Sequence, residues 1–330
     1  MGAHPQYRGK NVLVTGGLGF IGSTLAIALV EAGAKVTIVD SLIPGHGGNM
    51  FNIEPIKGKV KVAEVDVRDT EKLRPLVKGQ EYIFNLAAQV SHIDSMEDPM
   101  TDLEINCRAQ LSLLETCRRE NKDAFIVYTG TRQVYGKPEY LPVDERHPIN
   151  PVDVNGINTM AGEWYHLLYA KVYGMKAVAL RLTNTYGPRQ KISNVKHGFV
   201  GTFIRKALQG ETIQLFGDGS QKRDFNYVDD VVQALLLAGE HPELSGEFFN
   251  LGDSVHYSLK QFAEMLQTHA SFKVEIVPFP ADRKRIDIGD YYATYEKFKK
   301  ATGWTPKVDL QRGLKTTVEY FRKNLPQYLA

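Results

Sequence analysis

The stretch TGGLGFIG (15–22) follows an apolar run, NVLV, and leads into the helix-forming sequence STLAIALVEAG. Within it, Gly16, Gly19 and Gly22 recur at every third residue. Glycine permits a tight turn and close approach of the backbone to a ligand, and the start of a helix offers free N–H groups to phosphates. The stretch therefore predicts a strand–turn–helix unit that binds the pyrophosphate of a dinucleotide.

An acidic residue ends the second predicted strand, KVTIVD (35–40). In dinucleotide-binding folds, a carboxylate at the position of Asp40 binds the adenosine ribose hydroxyls and repels a 2′-phosphate. The following residues, SLIPG, include no Arg or Lys. These features favour NAD over NADP as the cofactor.

Short β-rich runs alternate with longer helical patterns through the first half of the chain. We predict strands at 11–16, 35–40, 60–66, 82–88, 124–130 and 175–182, and helices that begin near Phe20 and Asp69 or run near 102–120 and 153–173. The strands are almost continuously apolar, which is typical of parallel sheets covered on both faces. The pattern predicts an α/β fold with a Rossmann-type doubly wound parallel sheet.

The predicted strands and helices are shorter in the second half of the chain, after about residue 190. The tail from Pro278 is rich in Lys, Arg and Tyr. We expect residues 1–190 to form mainly the NAD-binding domain. Residues 191–330 would form mainly a smaller C-terminal α/β lobe that binds substrate. No Gly/Ser-rich linker separates the two, so the lobes are expected to be interleaved.

The composition of the 330 residues excludes several functional classes. The formal net charge is only +2, which predicts neither nucleic-acid nor membrane binding. No apolar run is long enough to span a bilayer, and the N-terminus does not resemble a signal peptide. Cys107 and Cys117 lack metal-ligand spacing and are expected to be reduced. We therefore predict a cytoplasmic protein without a metal site.

The cofactor turn is followed by NLAAQVS (85–91), TGTRQVYG (129–136), RLTNTYGPRQ (181–190) and GDGSQKRDFNYVDD (217–230). In this order, the motifs resemble those of the extended short-chain dehydrogenase/reductase family. Within it they are most similar to the NAD-dependent nucleotide-sugar epimerases and dehydratases. The resemblance covers nearly the whole chain and implies a nucleoside diphosphate sugar as substrate.

The resemblance also implies the residues of the binding site. The implied cofactor-binding residues are Gly16, Gly19, Phe20, Ile21, Gly22, Asp40, Ser41, Asp66, Val67, Leu86, Ala87, Ala88, Gln89, Asn106 and Thr129. The implied substrate-binding residues are Ser91, Thr131, Asn184, Phe199, Gln214, Arg223 and Arg285. Arginine suits the two charges of a sugar diphosphate. The helices near 102–120 and 153–173 are apolar on more than one face, and in such enzymes they pair into a homodimer.

Two positions depart from the family pattern. Its catalytic helix carries Tyr-x-x-x-Lys, in which Tyr removes a proton from the sugar and Lys assists it. Here the matching positions hold Asn155 and Thr159. The resemblance implies Thr131 as a further catalytic residue. Neither an amide nor an unassisted hydroxyl exchanges protons usefully at neutral pH. The activity of the chain is therefore expected to be impaired, or to depend on another base.

Candidates for that base are His92, Asp94 and Tyr165, although a hydrogen-bonded structural role is the alternative for His92. The pair Tyr295 and Lys299 has the family spacing but lies in the C-terminal tail.

The reaction predicted by the resemblance is 4-epimerisation through transient oxidation at sugar C4. Dehydratases of this family follow the catalytic Thr with Asp-Glu, whereas Arg132 and Gln133 follow Thr131 here and cannot catalyse elimination. Arg132 is either a structural residue or a group that binds a sugar carboxylate. A dehydratase, a uronate epimerase or decarboxylase, and a non-catalytic binder of NAD and nucleotide sugars remain alternatives.

Overall fold

The computed structural model describes residues 4–193, 198–280, 284 and 286–329. The predicted substrate-binding residue Arg285 lies outside the described residues. The strands are β1 (Asn11–Thr15), β2 (Lys35–Asp40), β3 (Lys61–Glu64), β4 (Tyr82–Asn85), β5 (Phe125–Thr131), β6 (Lys176–Leu182), β7 (Asn184–Tyr186), β8 (Ile213–Phe216), β9 (Lys222–Tyr227), β10 (Phe248–Asn250), β11 (His256–Ser258) and β12 (Val274–Val277).

The α-helices surround these strands. They are α1 (Phe20–Glu31), α2 (Thr70–Val77), α3 (His92–Glu97), α4 (Pro99–Leu103), α5 (Ala109–Glu120), α6 (Val154–Tyr173), α7 (Phe199–Gln209), α8 (Val228–Glu240), α9 (Leu259–Gln267), α10 (Glu296–Thr302), α11 (Leu310–Asn324) and α12 (Pro326–Leu329). Within the described ranges, no helix is both long and apolar enough to cross a bilayer.

The central sheet has seven strands in the order β3-β2-β1-β4-β5-β6-β10. All its neighbouring strands pair in parallel. The chain winds outward from β1 to β3 and then returns to the other side of β1 to form β4. This reversal confirms the predicted doubly wound fold, and it leaves a crevice beyond the carboxyl ends of β1 and β4.

Apolar layers cover both faces of the central sheet. One layer includes residues of α1, α8 and α10, such as Leu25, Leu235 and Phe298. The layer on the opposite face includes residues of α2, α5 and α6. The buried residues of a separate cluster, which includes Phe203, Phe262 and Phe321, all come after β6, and Phe51 packs against them. The second half of the chain therefore contributes both to the central sheet and to its own core.

The structure differs from the predicted element boundaries at two places near the crevice. Strand β4 ends at Asn85 rather than at residue 88, because the backbone N–H groups of Leu86 and Ala87 donate to the hydroxyl of Thr15. The helix predicted near 102–120 begins earlier and contains one π-helical turn, Glu104–Arg108, before α5. Such turns are often found at functional sites.

Helix α6 follows local sequence signals closely. The Asp153 side chain accepts a hydrogen bond from the backbone N–H of Gly156, which caps the start of the helix. The helix ends at Gly174, which has a φ of 64° in the left-handed region that favours glycine. These caps fix the helix that carries the two replaced positions, residues 155 and 159.

Candidate active site

A cavity of about 390 Å³ lies in the crevice at the carboxyl ends of the central strands. This volume falls within the range of about 300–1,000 Å³ that is usual for small-molecule sites. Many of the predicted site residues line it: Gly16, Gly19, Phe20, Ile21, Gly22, Asp40, Ser41, Asp66, Val67, Leu86, Ala87, Ala88, Gln89, Thr129, Thr131, Asn155, Thr159, Asn184 and Phe199. Segments that are far apart in the sequence thus meet at one site.

The glycine turn leaves no room for side chains where the chain enters α1. Gly16 has a φ of 66°, a conformation that L-residues with side chains rarely adopt. A Cβ atom on Gly22 would lie 2.2 Å from the carbonyl oxygen of Gly16, so any larger residue would force the turn open. The turn therefore presents bare backbone to the cavity, as a pyrophosphate-binding turn must.

The carboxylate of Asp40 is connected to the same turn. One oxygen accepts the backbone N–H of Leu18 at 3.0 Å, and the other accepts that of Leu42 at 3.0 Å. Burial raises the pKa of Asp40, although these N–H bonds oppose the increase. The side chain is held at the cavity wall with oxygen lone pairs left to accept ribose hydroxyls.

Farther along the wall, Asp66 forms a two-pronged ion pair with Arg68, with contacts of 2.9 and 2.6 Å. The hydrogen bonds from Arg68 outweigh burial and lower the pKa of Asp66. His46 also lines this part of the cavity, and its buried Nδ1 has no hydrogen-bond partner among the described residues.

The position of the family's catalytic tyrosine belongs to a buried amide network. The Asn155 side-chain amide donates to the backbone oxygen of Gln89 at 2.7 Å and to the carboxylate of Asp102 at 2.9 Å. Asn158 and Asn106 also donate to Asp102, which is completely buried. Three side-chain amides thus donate to the Asp102 carboxylate, and no cation among the described residues forms an ion pair with it. Asn155 therefore acts as a hydrogen-bond donor within the fold, and its amide cannot serve as an acid or base.

The other two predicted catalytic residues also line the cavity. Thr131 ends β5, and its hydroxyl accepts the backbone N–H of Gln133 at 3.3 Å. Thr159 lies one turn beyond Asn155 on α6 and is buried. Lys191 lines the same cavity, directly after the RLTNTYGPRQ motif, and was not among the residues predicted from the sequence. Burial lowers the pKa of Lys191.

Two arginines next to the cavity carry charges that the described part of the chain does not neutralise by ion pairing. Arg132 lines the cavity and stacks over the Tyr291 ring at 5.1 Å, and its buried Nη1 has no hydrogen-bond partner among the described residues. Arg223 donates to the backbone oxygens of Lys222 and Gly289. Burial, and then repulsion from Arg132, lower the pKa of Arg223 to about 10. Two such guanidinium groups favour an anionic ligand.

Several residues predicted to bind cofactor or substrate do not line the cavity that the described residues form. Arg223 and Ser91 are buried behind it, and Gln214 is exposed on β8. Asn106 is buried in the π-helical turn and exchanges hydrogen bonds with the backbone of Gln89. Any role for these residues in binding stays a prediction.

The candidate bases are separated by the fold. Tyr295 packs in the core beneath α8, so the pair Tyr295 and Lys299 is not part of the cavity. Tyr165 packs against the apolar layer of α5, and Asp94 does not line the cavity either. His92 does line it, and its Nδ1 lies 2.6 Å from the carboxylate of Asp153. The sequence had offered His92 but gave no sign of its partner, which is 61 residues away.

Comparisons with known proteins agree with this geometry. Residues 12–252 match the model of the NAD dependent epimerase/dehydratase family. The chain is 33% identical to UDP-glucose 4-epimerase of Mycolicibacterium smegmatis over 94% of this chain and 98% of that protein. It is 31% identical to UDP-N-acetyl-alpha-D-glucosaminuronate decarboxylase of Bacillus cytotoxicus over 95% of this chain and 98% of that protein.

A solved structure shows the same relationship. The crystal structure of UDP-glucose 4-epimerase with UDP-glucose from Thermotoga maritima superposes with a TM-score of 0.87 at 35% identity, and covers 96% of this chain and 99% of that chain. Sequence and structure therefore give the same result as the motifs. The chain belongs to the NAD-dependent epimerase/dehydratase family of sugar-nucleotide enzymes.

Proposed function

We propose that this chain is an NAD-dependent nucleotide-sugar 4-epimerase that oxidises its substrate transiently at sugar C4. The observation that carries the proposal is the cavity in which the glycine turn, Asp40 and the end of β5 meet. The similarity of the chain to the UDP-glucose 4-epimerases named above supports a UDP-sugar as substrate.

The residues of the cavity fit NAD. The backbone between Gly16 and Gly22 would hold the pyrophosphate at the start of α1, and Asp40 would bind the adenosine ribose. Asp66 and Val67 would border the adenine. When bound, NAD supplies a hydride acceptor and donor. The chain itself must bind the sugar, exclude water and move the proton of the C4 hydroxyl.

Epimerisation fits the end of β5 better than dehydration does. An elimination needs a general acid and a general base next to the substrate. Arg132 and Gln133 occupy this part of the cavity wall, and neither is a useful proton carrier at neutral pH. We therefore assign the site to reversible oxidation at C4 rather than to loss of water.

The direct test is to incubate the purified chain with UDP-glucose, UDP-galactose or UDP-N-acetylglucosamine and to follow conversion to the C4 epimer by NMR. We expect the unmodified chain to interconvert at least one pair of epimers. A double variant, Asn155→Tyr with Thr159→Lys, is assayed alongside it, with its folding checked because Asn155 supports Asp102. Activity confined to the double variant, or found in neither, would favour a non-catalytic binding protein.

Arg132 favours a second candidate function, in which the sugar carries a carboxylate. Its guanidinium lies on the cavity wall with one buried nitrogen that no described residue pairs, and a carboxylate would satisfy that donor. The similarity to a uronate decarboxylase agrees with this candidate.

We predict that Arg132→Gln raises KM for UDP-glucuronate about 10- to 100-fold, because a hydrogen bond to a charged group is worth about 1.5–3 kcal/mol. Steady-state kinetics with UDP-glucose on the same variant provide the neutral comparison, and Arg146→Gln, at an exposed arginine, is the control. Equal effects on both sugars would assign Arg132 to the diphosphate instead.

We also propose that the protein is a homodimer that pairs through α6. Ile157, Trp164, Leu168 and Val172 form one exposed apolar stripe along this helix, and each is 48–59% exposed. Exposed apolar stripes of this length mark interaction surfaces. A second copy of the same stripe would cover it around a twofold axis.

Leu168→Glu is expected to convert the dimer to a monomer at micromolar concentration, because two carboxylates would be buried in the pairing surface. Light scattering coupled to size-exclusion chromatography measures the mass. Ile276→Glu, at an equally exposed residue on β12, should leave the dimer intact. A monomeric unmodified chain would contradict the proposal.

A further inference from the structure

His92 and Asp153 form the one histidine–carboxylate pair that borders the cavity among the described residues. His92 is the first residue of α3, and Asp153 precedes the first residue of α6. Their side chains meet with Nδ1 of His92 2.6 Å from Oδ2 of Asp153. The Asp153 side chain is almost completely buried, whereas that of His92 is 37% exposed. Asp153 therefore holds the imidazole at Nδ1, while the His92 side chain as a whole stays partly exposed.

The hydrogen bonds around the pair indicate which nitrogen of His92 carries the proton. Asp153 also accepts the backbone N–H of Gly156, so it is oriented by the start of α6. Burial would raise the pKa of Asp153, but its hydrogen-bond contacts, that with His92 first, outweigh burial and lower it. An ionised Asp153 keeps the proton on Nδ1 of His92 and leaves Nε2 as an acceptor. The side-chain amide of Gln133 contacts that Nε2 at the cavity wall.

The pair lies beside the two positions that have lost the family's acid–base groups. His92, Gln133, Asn155 and Thr159 all line the same cavity, and Asp153 is two residues from Asn155 on the same helix. The other charged groups near the pair are Arg132, which lowers the pKa of Asp153, and Asp94 on α3, which interacts with Lys191. Arg132 is a permanent cation and Asp94 does not line the cavity, so neither is placed to take a proton from a bound sugar.

We propose that Nε2 of His92 is the proton acceptor and donor of the C4 oxidation, and that Asp153 positions it. This inference rests on the proposed 4-epimerase function. The C4 hydroxyl takes the place of the Gln133 amide and gives its proton to Nε2 as the C4 hydrogen leaves with its electron pair for NAD. The sugar is oxidised to a 4-ketone, and NAD is reduced. The imidazolium returns the same proton to the oxygen when the hydride returns to the opposite face of the ring.

The first test is kinetic. His92→Asn should lower kcat by about 10²- to 10⁴-fold with little change in KM, which is the usual contribution of a positioned base. It should also abolish the acidic limb of the pH profile of kcat. Asp153→Asn keeps the helix cap, because Asn and Asp cap equally well. It should retain part of the activity and move the acidic limb to lower pH, because loss of the Asp153 charge disfavours the imidazolium.

The matched control is His241→Asn, since His241 contacts Glu243 at the same distance of 2.6 Å outside the cavity. It should leave kcat and the pH profile unchanged. An unmodified chain that turns over no nucleotide sugar would overturn both the proposed function and this role. An active chain in which His92→Asn retains full kcat and its acidic limb would overturn the role of His92 alone.

The second test needs no turnover. With selectively ¹⁵N-labelled histidine, the NMR shifts of His92 in the unmodified chain should show Nδ1 protonated and Nε2 free at neutral pH. Asp153→Asn should shift this balance toward the other tautomer. A neutral His92 that carries its proton on Nε2 in the unmodified chain would contradict the proposed acceptor.

Discussion

Glu163→Gln is expected to lower the free energy of unfolding by about 3–5 kcal/mol, because it leaves a buried guanidinium without its counter-charge. Arg181 on β6 and Glu163 on α6 are both almost completely buried, and the Arg181 Nε donates to Glu163 at 2.9 Å. Burial alone would lower the pKa of Arg181, but the bonds and charge of Glu163 outweigh it and raise the pKa. Urea unfolding followed by far-UV circular dichroism measures the change.

The control for this prediction is the exposed pair of Glu104 and Arg108. Glu104→Gln removes the same charge but should cost less than about 1 kcal/mol, as surface ion pairs usually do. The guanidinium of Arg181 also lies 3.9 Å from the centre of the Phe248 ring. This cation–π contact will still stabilise the Arg181 charge in the Glu163→Gln variant. Similar losses for the two variants would show that the buried pair does not hold α6 on the sheet.

Acidification from pH 7 to pH 5 is expected to remove about 2 kcal/mol of stability through His166 alone. This residue is completely buried, donates from Nδ1 to the backbone oxygen of Gly162 and stacks on Tyr128. Burial lowers the pKa of His166 to about 4, whereas an unfolded chain titrates near 6.5. The unfolded state therefore binds a proton first as pH falls, and stability is lost from about pH 6.5 down to pH 4.

His166→Gln isolates this contribution, because glutamine retains a polar side chain but does not titrate. Its free energy of unfolding should depend less steeply on pH between 6.5 and 4 than that of the unmodified chain. His241→Gln, at a partly exposed histidine, should leave most of the dependence unchanged. The same pH dependence in the His166 variant and the unmodified chain would show that His166 is not buried in the neutral form.

The central sheet and the cofactor side of the cavity were predictable from the sequence because their determinants are local. The glycine turn, Asp40 and the apolar runs before them each specify one strand–turn–helix unit. The edge strand β10 was not recognised as part of the central sheet. It is only three residues long, and it pairs with the distant strand β6, for example Phe248 with Ala179. Short edge strands carry little periodicity of their own.

The catalytic side of the cavity was less predictable because its contacts join distant segments. The departure at residues 155 and 159 was visible in the sequence, but the carboxylate that Asn155 supports is Asp102, 53 residues away. No sequence prediction singled out Asp153, whose side chain caps the start of α6 in the structure. Its second partner, His92, comes from another β–α unit, and no sequence spacing relates the two.

The central claim is that the glycine turn and Asp40 bind NAD. It is tested most directly by denaturing the purified chain, measuring the NAD released, and titrating stripped protein with NAD by calorimetry. We expect one NAD per chain, and we expect Asp40→Ala to weaken or abolish its binding. A chain that neither carries NAD after purification nor binds it when it is added would contradict the account.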